Sequence, residues 1–404
     1  MKLAKQICER LFEAGYTAYF AGGWVRDRLL GRESDEIDIA TSAPPEVIQD
    51  LFPKTLAVGA QFGVIVVVLE RHSFEVTTFR KDHPYFDGRH PEGVDYSTPE
   101  KDAERRDFTI NGMFFDPLTE SFYDYVEGKE DLKKGIIRAI GDPEKRFAED
   151  RLRMIRAVRF AARFDFTIEK ETENAIERHA STLLPAVSVE RIWQEWGKMS
   201  AYSHFNKAIR TLHRLGLLPT IFPSLKEVTV EEIENRTRAF PYFPLETPPI
   251  VYLLELFPDH SLENILSLCD FLKTSGEEKK LATFFKQGEK LIEHTPERHL
   301  VAHFYAHKEV DLFLNIQGAK RQPPERSLFL EEHMEQKKML RKAIERIQKG
   351  TPLLTSSHLK EAGITPGPLM GKLLKEAEKI AIEHNLNDPQ ILLETLKKSP
   401  LWPS

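Results

Sequence analysis

The hydrophobic and polar positions along the chain predict two regions of different secondary structure. Up to residue 141, helical spacing such as that of Leu3, Ile7 and Leu11 alternates with short β-branched or aromatic runs typical of strands. These predicted strands cover residues 19–21, 37–40, 64–69 and 74–79. From residue 142 the strand pattern disappears and helical periodicity continues, most clearly over residues 147–163, 170–180 and 188–199. The sequence therefore predicts a small α/β head followed by a long helical region.

Segments rich in turn-forming residues interrupt both regions. Residues 81–101 are rich in Pro, Gly, Asp and His and lack a hydrophobic period, so we predict a long mobile loop there. The helical region is divided by Pro- and Gly-rich breaks near residues 219–223, 241–249, 321–324 and 366–368. We find no fixed-period repeat, so the helices do not predict a repeat array.

The composition is that of a soluble globular protein with several domains, since 41% of its 404 residues are hydrophobic and 30% are charged. The longest apolar run, residues 64–69, is far shorter than the roughly 20 residues that span a membrane. The first residues lead directly into an amphipathic pattern, which is not typical of a signal peptide. Cys8 and Cys269 are far apart and lack metal-ligand spacing, which disfavours disulfides and zinc and favours a reducing cytoplasm.

The formal net charge of −6 is unexpected for a protein that binds nucleic acid, but the distribution of cations matters more than their sum. Arg105 and Arg106 are adjacent, and five arginines crowd residues 151–163. Both groups could neutralise phosphates. The chain as a whole lacks the basic balance expected of a protein that holds long RNA.

A glycine pair, Gly22 and Gly23, follows the first predicted strand and precedes a predicted helix. Glycines at such a turn let the backbone approach a phosphate, and the helix N-terminus offers free N–H groups. Arg26, one turn into the helix, could neutralise a triphosphate. The alternative is a tight turn with a surface ion pair between Arg26 and Asp27.

Three carboxylates stand on the predicted strands. Glu36 and Asp38 are two residues apart, so an extended chain points both to one face, where their repulsion favours a bound cation such as Mg²⁺. Glu75 interrupts an otherwise apolar strand and becomes a third ligand if that strand neighbours the first. Such a set can hold two Mg²⁺ ions for an in-line phosphoryl displacement. The alternative is a solvent-exposed Glu36 and a Glu75 that belongs to a buried ion pair.

Two further segments combine arginines with acidic side chains. In residues 105–111, Arg106 suits a phosphate and Asp107 could accept a hydrogen bond from a ribose hydroxyl, although a salt-bridged surface strand is the alternative. Further along, steps of three residues separate four charged positions that would form a stripe on one helix: Asp150, Arg153, Arg156 and Arg159. An Asp and an Arg one turn apart could read the hydrogen-bonding edge of a base. A solvated helix face with an internal ion pair is the alternative.

These segments together resemble the class II tRNA nucleotidyltransferases, the bacterial and eukaryotic CCA-adding enzymes, which share a family with bacterial poly(A) polymerases. The resemblance runs in one order through seven motifs, at residues 22–27, 37–41, 74–80, 87–91, 105–111, 149–153 and 188–192. A weaker match, Gly-x-x-Pro-Gly-Pro-x-x-Gly at residues 363–371, resembles the tail domain of such enzymes. One motif can arise by chance, whereas seven in the expected order argue against coincidence.

The resemblance implies the fold class α+β: a small polymerase-beta-like nucleotidyltransferase head with a mixed sheet, followed by an all-helical neck, body and tail. By position, the catalytic head covers residues 1–141 and the neck, which selects the nucleotide, covers residues 142–205. The body at residues 206–325 and the tail at residues 326–404 would bind tRNA.

The resemblance also implies roles for individual residues. Glu36 and Asp38 would bind Mg²⁺, and Glu75 would complete the catalytic acidic set. The residues implied to bind the nucleotide are Gly22, Gly23, Arg26, Arg106, Asp107, Asn111, Asp150, Arg153, Arg156 and Arg159. Among these, Asp150 and Arg153 would select CTP or ATP in place of a template. Members of the family usually carry Asp where this chain has Glu36, and the extra methylene moves the carboxylate by about 1.5 Å.

The implied reaction is Mg²⁺-dependent, template-independent addition of CCA to the 3′ end of tRNA from CTP and ATP, in the cytoplasm and without a membrane. Addition of only CC, of only the terminal A, and synthesis of poly(A) are alternatives. The lack of a basic balance disfavours poly(A) synthesis, and the complete motif at residues 87–91 disfavours CC-only addition, since CC-only enzymes resemble this family with that loop shortened. A further alternative is a non-catalytic RNA-binding relative. Such a protein would be expected to lose the catalytic carboxylates, whereas this chain has an acidic residue at all three positions. A monomer and a homodimer both remain open.

Overall fold

The structure of the protein, a computed structural model, describes residues 1–59, 62–82, 93–293 and 296–403, without the side chains of residues 58, 59, 82 and 293. It divides into two compact units, Met1–Thr237 and Arg238–Ser404. A mixed sheet comes first and helices follow, which confirms the predicted fold class. The boundary between the units lies inside the predicted body, and the division into head, neck, body and tail stays a prediction.

Eleven strands occur among the described residues, all in the first unit. They are β1 (Ala18–Ala21), β2 (Asp38–Thr41), β3 (Thr55–Gly59), β4 (Val64–Leu69), β5 (His72–Thr78), β6 (Arg80–Asp82), β7 (Val94–Tyr96), β8 (Met113–Asp116), β9 (Ser121–Asp124), β10 (Ile136–Ile137) and β11 (Thr167–Ile168). Within the described ranges, seven of them form one sheet in the order β3-β4-β5-β2-β1-β8-β9. Neighbouring strands in this sheet run antiparallel, except that β2 and β5 run parallel, with Ile39 opposite Val76.

The helices of the first unit are α1 (Lys2–Glu13), α2 (Gly23–Leu29), α3 (Pro45–Leu51), α4 (Pro99–Glu104), α5 (Gly128–Lys134), α6 (Pro143–Glu149), α7 (Leu152–Phe164), α8 (Lys170–His179), α9 (Leu183–Ala186), α10 (Val189–Ser200), α11 (Phe205–Arg214), α12 (Leu217–Ile221) and α13 (Val230–Thr237). Helix α7 packs against α10 and α11, and its apolar residues Ile155 and Val158 are each 1% exposed. The burial of these side chains fixes α7 against α10 and α11, while its residues Arg156 and Arg163 reach Asp107 and Asp27 of the head.

The second unit is helical throughout its described residues. Its helices are α14 (Pro249–Leu256), α15 (Leu262–Phe271), α16 (Gly276–Glu293), α17 (Arg298–Ala306), α18 (Val310–Ala319), α19 (Pro323–Met339), α20 (Arg341–Lys349), α21 (Ser356–Glu361), α22 (Pro368–Glu383) and α23 (Pro389–Leu396). A hydrophobic cluster that includes Leu359, Leu373 and Leu396 joins its last three helices. In the described parts of the chain, no helix combines the length and the hydropathy that a bilayer crossing requires.

The predicted strands are confirmed, with ends that move by one or two residues, and β4 has the predicted bounds. The strands β3, β8 and β9 were not predicted. Their runs are short, and β9 is half-buried, so its pattern is weak. The prediction that strands end at residue 142 is wrong at one place, because β11 pairs in parallel with β10.

The prediction of one long loop over residues 81–101 is wrong where the structure describes this segment. Strands β6 and β7 pair antiparallel, with Lys81 opposite Asp95, and α4 begins at Pro99. Proline at the first helical position is compatible with a helix start, which is why a Pro-rich sequence can still contain one. The motif at residues 87–91 lies outside the described residues.

The single helix predicted for residues 147–163 is two helices, α6 and α7. Asp150 ends α6 with φ −142° and ψ 105°, and its carboxylate Oδ1 accepts a hydrogen bond from the backbone N–H of Leu152, 3.0 Å away. Aspartate favours such capping positions over helix interiors because its side chain competes for backbone hydrogen bonds. Of the four residues of the predicted stripe, only the three arginines lie on one helix, α7. Asp150 lies in the junction between α6 and α7.

Candidate active site

A cleft of about 500 Å³ in the first unit contains most of the predicted site. Of the thirteen predicted residues, the twelve that line it are Gly22, Gly23, Arg26, Glu36, Asp38, Arg106, Asp107, Asn111, Asp150, Arg153, Arg156 and Arg159. The described lining contains eight arginines and five carboxylates, so this cleft is rich in positive charge although the chain carries −6. Its volume lies in the range of small-molecule sites.

The glycine turn lies between β1 and α2, beside the first predicted metal ligand. Gly22 has φ 62° and ψ −121°, a conformation that residues with a Cβ rarely adopt. A Cβ on Gly22 would lie 3.2 Å from Nη1 of Arg106 and 4.0 Å from Oδ2 of Asp38. The turn therefore needs glycine for its backbone conformation and because two charged side chains approach it closely.

Arg26 is held rigidly inside the cleft wall. Its side chain is 3% exposed, and its guanidinium donates to Oδ1 of Asn111 at 2.6 Å and to Oδ1 of Asp27 at 2.9 Å. The guanidinium also lies 4.7 Å from the ring centre of Phe164. Burial lowers the pKa of Arg26 and the charge of Asp27 opposes this change. The alternative of a surface ion pair is wrong, because Asp27 is also buried.

The predicted acidic set lies at one end of the central strands. Asp38 begins β2, and Glu75 lies on the neighbouring β5, each one residue before the paired Ile39 and Val76. Glu36 precedes β2 and is exposed, so the prediction that it lies on this strand is wrong. Glu75 is also exposed, which excludes the alternative of a buried ion pair, but it does not line the cleft.

The charge around Asp38 fits a divalent cation. Burial raises the pKa of Asp38, and so do the charges of Glu75 and Glu36, while Arg106 acts in the opposite direction. A raised carboxyl pKa of this kind indicates a carboxylate that lacks sufficient positive charge nearby. Oxygen donors suit Mg²⁺, which is commonly held by one or two carboxylates together with phosphates and water.

The three carboxylates do not form a tight set by themselves. Among the described residues, three ligand atoms within 4.8 Å of one another occur only at Glu297, His299 and Glu383, in the second unit. There, Nζ of Lys379 contacts Glu297 at 2.7 Å, which already supplies a positive charge. The residues around Asp38 thus fit a metal that shares its coordination with a substrate phosphate.

Asp107 connects the turn after α4 to helix α7. Its Oδ1 accepts from Nδ2 of Asn111 at 3.0 Å, and its Oδ2 accepts from Nε of Arg156 at 2.9 Å. Burial alone would raise the pKa of Asp107, but the charge of Arg156 and these hydrogen bonds lower it to about 2. The alternative of a surface strand is wrong, because Thr109–Asn111 is a buried 3₁₀ turn.

Arg106 is oriented by an aspartate that the sequence analysis missed. Nε and Nη2 of Arg106 donate to Oδ2 of Asp102 at 3.2 and 3.0 Å, and Arg105 donates from Nε to Oδ1 of the same residue at 2.9 Å. Asp102 is 1% exposed, so both arginines are anchored to a fixed charge. The signal in the sequence was an Asp one helical turn before the arginine pair.

The predicted base-reading residues are also held by neighbours. Besides its capping bond to Leu152, Asp150 accepts from Nη2 of Arg191 at 3.0 Å. Arg153 is 8% exposed and donates to Oε2 of Glu149 at 2.7 Å. Arg191 belongs to the motif at residues 188–192, to which no site role was given, and it lines the cleft.

Arg159 makes a buried ion pair with Glu195, the second partner that the sequence did not reveal. Nε of Arg159 lies 2.5 Å from Oε2 of Glu195, and the two residues are 6% and 2% exposed. The burial of Arg153 and Arg159 shows that the alternative of a solvated helix face is wrong. Whether the thirteen residues have their implied roles stays a prediction.

The mixed sheet, the glycine turn beside a carboxylate and the arginine-lined cleft define a nucleotidyltransferase. In agreement, residues 18–138 match the family model described as "Poly A polymerase head domain". Residues 165–229 match the model described as "Probable RNA and SrmB- binding site of polymerase A".

The relatives identify the family more closely. The chain is 34% identical to the CCA-adding enzyme of Ligilactobacillus salivarius (strain UCC118), over 98% of this chain and 96% of that one. It is 44% identical to the CCA-adding enzyme of Geobacillus stearothermophilus over 52% of each chain. Its fold is similar to the crystal structure of the Bacillus stearothermophilus CCA-adding enzyme in complex with CTP, with a TM-score of 0.81, 28% identity, and 98% and 97% of the two chains covered. The chain belongs to the family of CCA-adding enzymes, as the sequence resemblance predicted.

Proposed function

We propose that the protein adds CCA to the 3′ end of tRNA from CTP and ATP, without a template and in the cytoplasm. The observation that carries this proposal is the single cleft that holds both Asp38 and the pair Asp150 and Arg153. A cleft of this kind can bind one nucleotide with its reacting phosphate near the carboxylates and its base near α7. The similarity to CCA-adding enzymes along nearly the whole chain supports the choice of RNA and nucleotides.

The arginines and the glycine turn hold the triphosphate. Gly22 presents no side chain, so phosphate oxygens can approach the backbone between Asp38 and Arg106. Arg106 remains oriented by Asp102, and the rigid guanidinium fork suits phosphate oxygens. The RNA 3′-hydroxyl then attacks the α-phosphorus, which forms the new phosphodiester bond and releases pyrophosphate.

The base is selected by the hydrogen bonds that Asp150 and Arg153 can offer. Cytosine and adenine both carry an exocyclic amino donor at the position where uracil and guanine carry a carbonyl acceptor. The carboxylate of Asp150 accepts from the amino group and repels the carbonyl, while Arg153 donates to the adjacent ring nitrogen. Capping of α7 and the contact with Arg191 hold the carboxylate of Asp150 in one orientation, which makes this discrimination possible.

Mg²⁺ is the metal that we propose for the acidic set, with Asp38 and Glu36 as ligands and Glu75 beside them. When bound, it would stabilise the charge on the attacking and leaving oxygens. The raised pKa of Asp38 supports a cation at this place. Glu36 is exposed and precedes β2, so its longer side chain can reach toward Asp38 without a change in the strand.

Extension of three transcripts tests the proposal. tRNA ending at the discriminator base, or one or two C residues later, is incubated with Mg²⁺ and with CTP, ATP or both. We expect all three transcripts to be extended to the same CCA end, and failure to extend any of them would contradict the function. Long tails made from ATP alone would instead favour poly(A) synthesis, the activity that the names of the matching family models suggest.

Variants test the acidic set separately. Asp38→Ala and Glu36→Ala are expected to abolish incorporation while the fold stays intact by circular dichroism, and Asp35→Ala, an exposed neighbour that does not line the cleft, serves as the matched control. Activity of Glu36→Ala equal to that of the unmodified protein would remove Glu36 from the metal site without affecting the proposed reaction.

A further inference from the structure

A closed circuit of hydrogen bonds joins the head to helix α7. It begins and ends on that helix and consists of Arg163, Asp27, Arg26, Asn111, Asp107 and Arg156. Four of these residues were predicted to bind the nucleotide. The other two, Asp27 and Arg163, were not among the predicted site residues, and they close the circuit.

Asp27 is placed between two arginines. Its Oδ1 accepts from Nε of Arg26 at 2.9 Å, and its Oδ2 accepts from Nη2 of Arg163 at 3.0 Å. Asp27 is 4% exposed, whereas the Arg163 side chain is 26% exposed at the edge of the cleft. One carboxylate therefore links α2, which carries the predicted triphosphate ligand, to the last turn of α7.

The spacing of the two anchors on α7 fixes the direction of this helix. Arg156 and Arg163 are seven residues apart, which is about two helical turns, so both lie on the same face. Arg156 is tied to Asp107 and Arg163 to Asp27, so two points along α7 are joined to the head. A helix that is held at two points can neither pivot about one contact nor slide along its axis.

The start of this helix carries the predicted base-reading residues. Arg153 lies in the first turn of α7, and the carboxylate of Asp150 caps that turn. Any pivot of α7 would move this pair relative to Arg26. Misplacement of a reacting group by about 1 Å can cost about 100-fold in rate.

We propose that Asp27 and Arg163 are positioning residues that fix α7, and with it Asp150 and Arg153, relative to Arg26, and so contribute to the selection of CTP and ATP over UTP and GTP. This inference rests on the proposed function. The ion pair between Asp27 and Arg163, neither of which was predicted to read the base, would then contribute to nucleotide selectivity.

Arg163 is the better residue to change, because its loss does not leave a buried charge alone. In Arg163→Gln, Asp27 keeps its contact with Arg26, and the side chain at position 163 is partly exposed to solvent. Asp27→Asn leaves Arg26 buried with a weaker partner and is expected to lower stability as well. The double variant and the conservative Arg163→Lys complete the set.

The matched control removes an ion pair of the same type from the same unit. Arg214 donates through both terminal nitrogens to Glu173, at 3.0 Å each, on the exposed surface. Arg214→Gln therefore loses two hydrogen bonds to a carboxylate, against one in Arg163→Gln, without touching the circuit. Its selectivity and its kcat/KM are expected to equal those of the unmodified protein.

The experiment measures kcat and KM for CTP and for UTP on tRNA that ends at the discriminator base. We expect Arg163→Gln to lower the ratio of kcat/KM for CTP to kcat/KM for UTP by about tenfold. The KM for tRNA, measured in the same assay, should be unchanged. Arg163→Lys should recover most of the ratio. The double variant should be no less selective than Arg163→Gln, since either change opens the same circuit.

Two results would overturn the inference. The first is a folded Arg163→Gln protein with an unchanged CTP to UTP ratio, including one that loses activity toward both nucleotides alike. The second is a double variant whose loss of selectivity equals the product of the losses in Asp27→Asn and Arg163→Gln. Such a result would mean that the two residues act independently and not through one shared ion pair. If the unmodified protein fails to extend tRNA, the proposed function fails instead, so the two failures are distinguishable.

Discussion

Replacing Gly22 by alanine tests the geometry of the turn that brings Asp38 and Arg106 together. Two effects act at this position. The backbone has φ 62° and ψ −121°, where a residue with a Cβ is strained by about 1–3 kcal/mol. The new methyl group would also lie 3.2 Å from Nη1 of Arg106, closer than side chains normally approach.

The two effects are expected to appear in different measurements. Backbone strain lowers the free energy of unfolding by about 2 kcal/mol, which corresponds to a fall of about 4–8 °C in Tm for a unit of this size. The methyl group must displace the guanidinium of Arg106, which Asp102 otherwise holds at 3.0 Å. Because the guanidinium must move by only a few tenths of an ångström, displacement of this proposed phosphate ligand is expected to lower kcat/KM by about tenfold.

Gly31→Ala separates strain from displacement. Gly31 also has a positive φ, 67°, but a Cβ there would meet no heavy atom within 4 Å. This control is expected to lose about 1 kcal/mol of stability and no activity. Urea unfolding followed by tryptophan fluorescence reports mainly on the first unit, which contains Trp24, Trp193 and Trp196, whereas Trp402 is the one tryptophan of the second unit.

A Gly22→Ala protein that retains full kcat/KM would contradict this prediction, since activity would then not depend on the position of Arg106. The prediction would also be refuted if Gly31→Ala lost as much activity as Gly22→Ala, because the loss would then follow from strain alone.

Three further predictions concern buried or paired charges. Asp38→Asn should abolish incorporation yet raise stability without divalent ions by at most about 1 kcal/mol, because the repulsion from Glu75 and Glu36 that it removes is partly screened by solvent; a lower Tm would contradict this. Glu195→Gln should cost about 3 kcal/mol in urea unfolding, since Arg159 is left buried, and an unchanged midpoint would contradict it. The lowered pKa of Asp107 contributes stability that is present above about pH 4 and is lost as the pH falls toward about 2. Asp107→Asn should therefore lower the free energy of unfolding by roughly 2 kcal/mol at neutral pH, and this difference from the unmodified protein should narrow between about pH 4 and pH 2. A difference that stays constant with pH would contradict the prediction.

Local patterns in the sequence were sufficient for four of the seven strands of the sheet and for most of the residues that line the cleft. The run that forms β4 alternates buried and half-buried positions and is bounded by turn formers, so its limits could be read directly. The glycine turn and the acidic strand residues carry their signal in residue type and spacing. For that reason twelve of the thirteen predicted residues lie around one cleft.

The partners that orient the site could not be predicted, because they are distant in sequence. Asp27 and Arg163 are separated by 136 positions, and Arg159 and Glu195 by 36. Nothing local in either segment indicates the contact. The same reason explains the error at Asp150, where tertiary packing of two helices overrides a continuous helical period and the aspartate caps the second.

The central claim is that this cleft builds a defined three-nucleotide end on tRNA. We would sequence the 3′ ends after incubation of tRNA that lacks CCA with the protein, Mg²⁺, CTP and ATP. The account predicts ends that read CCA and stop there, and it predicts no extension by Asp38→Ala. Ends that remain unextended, or that carry long runs of A, would contradict it.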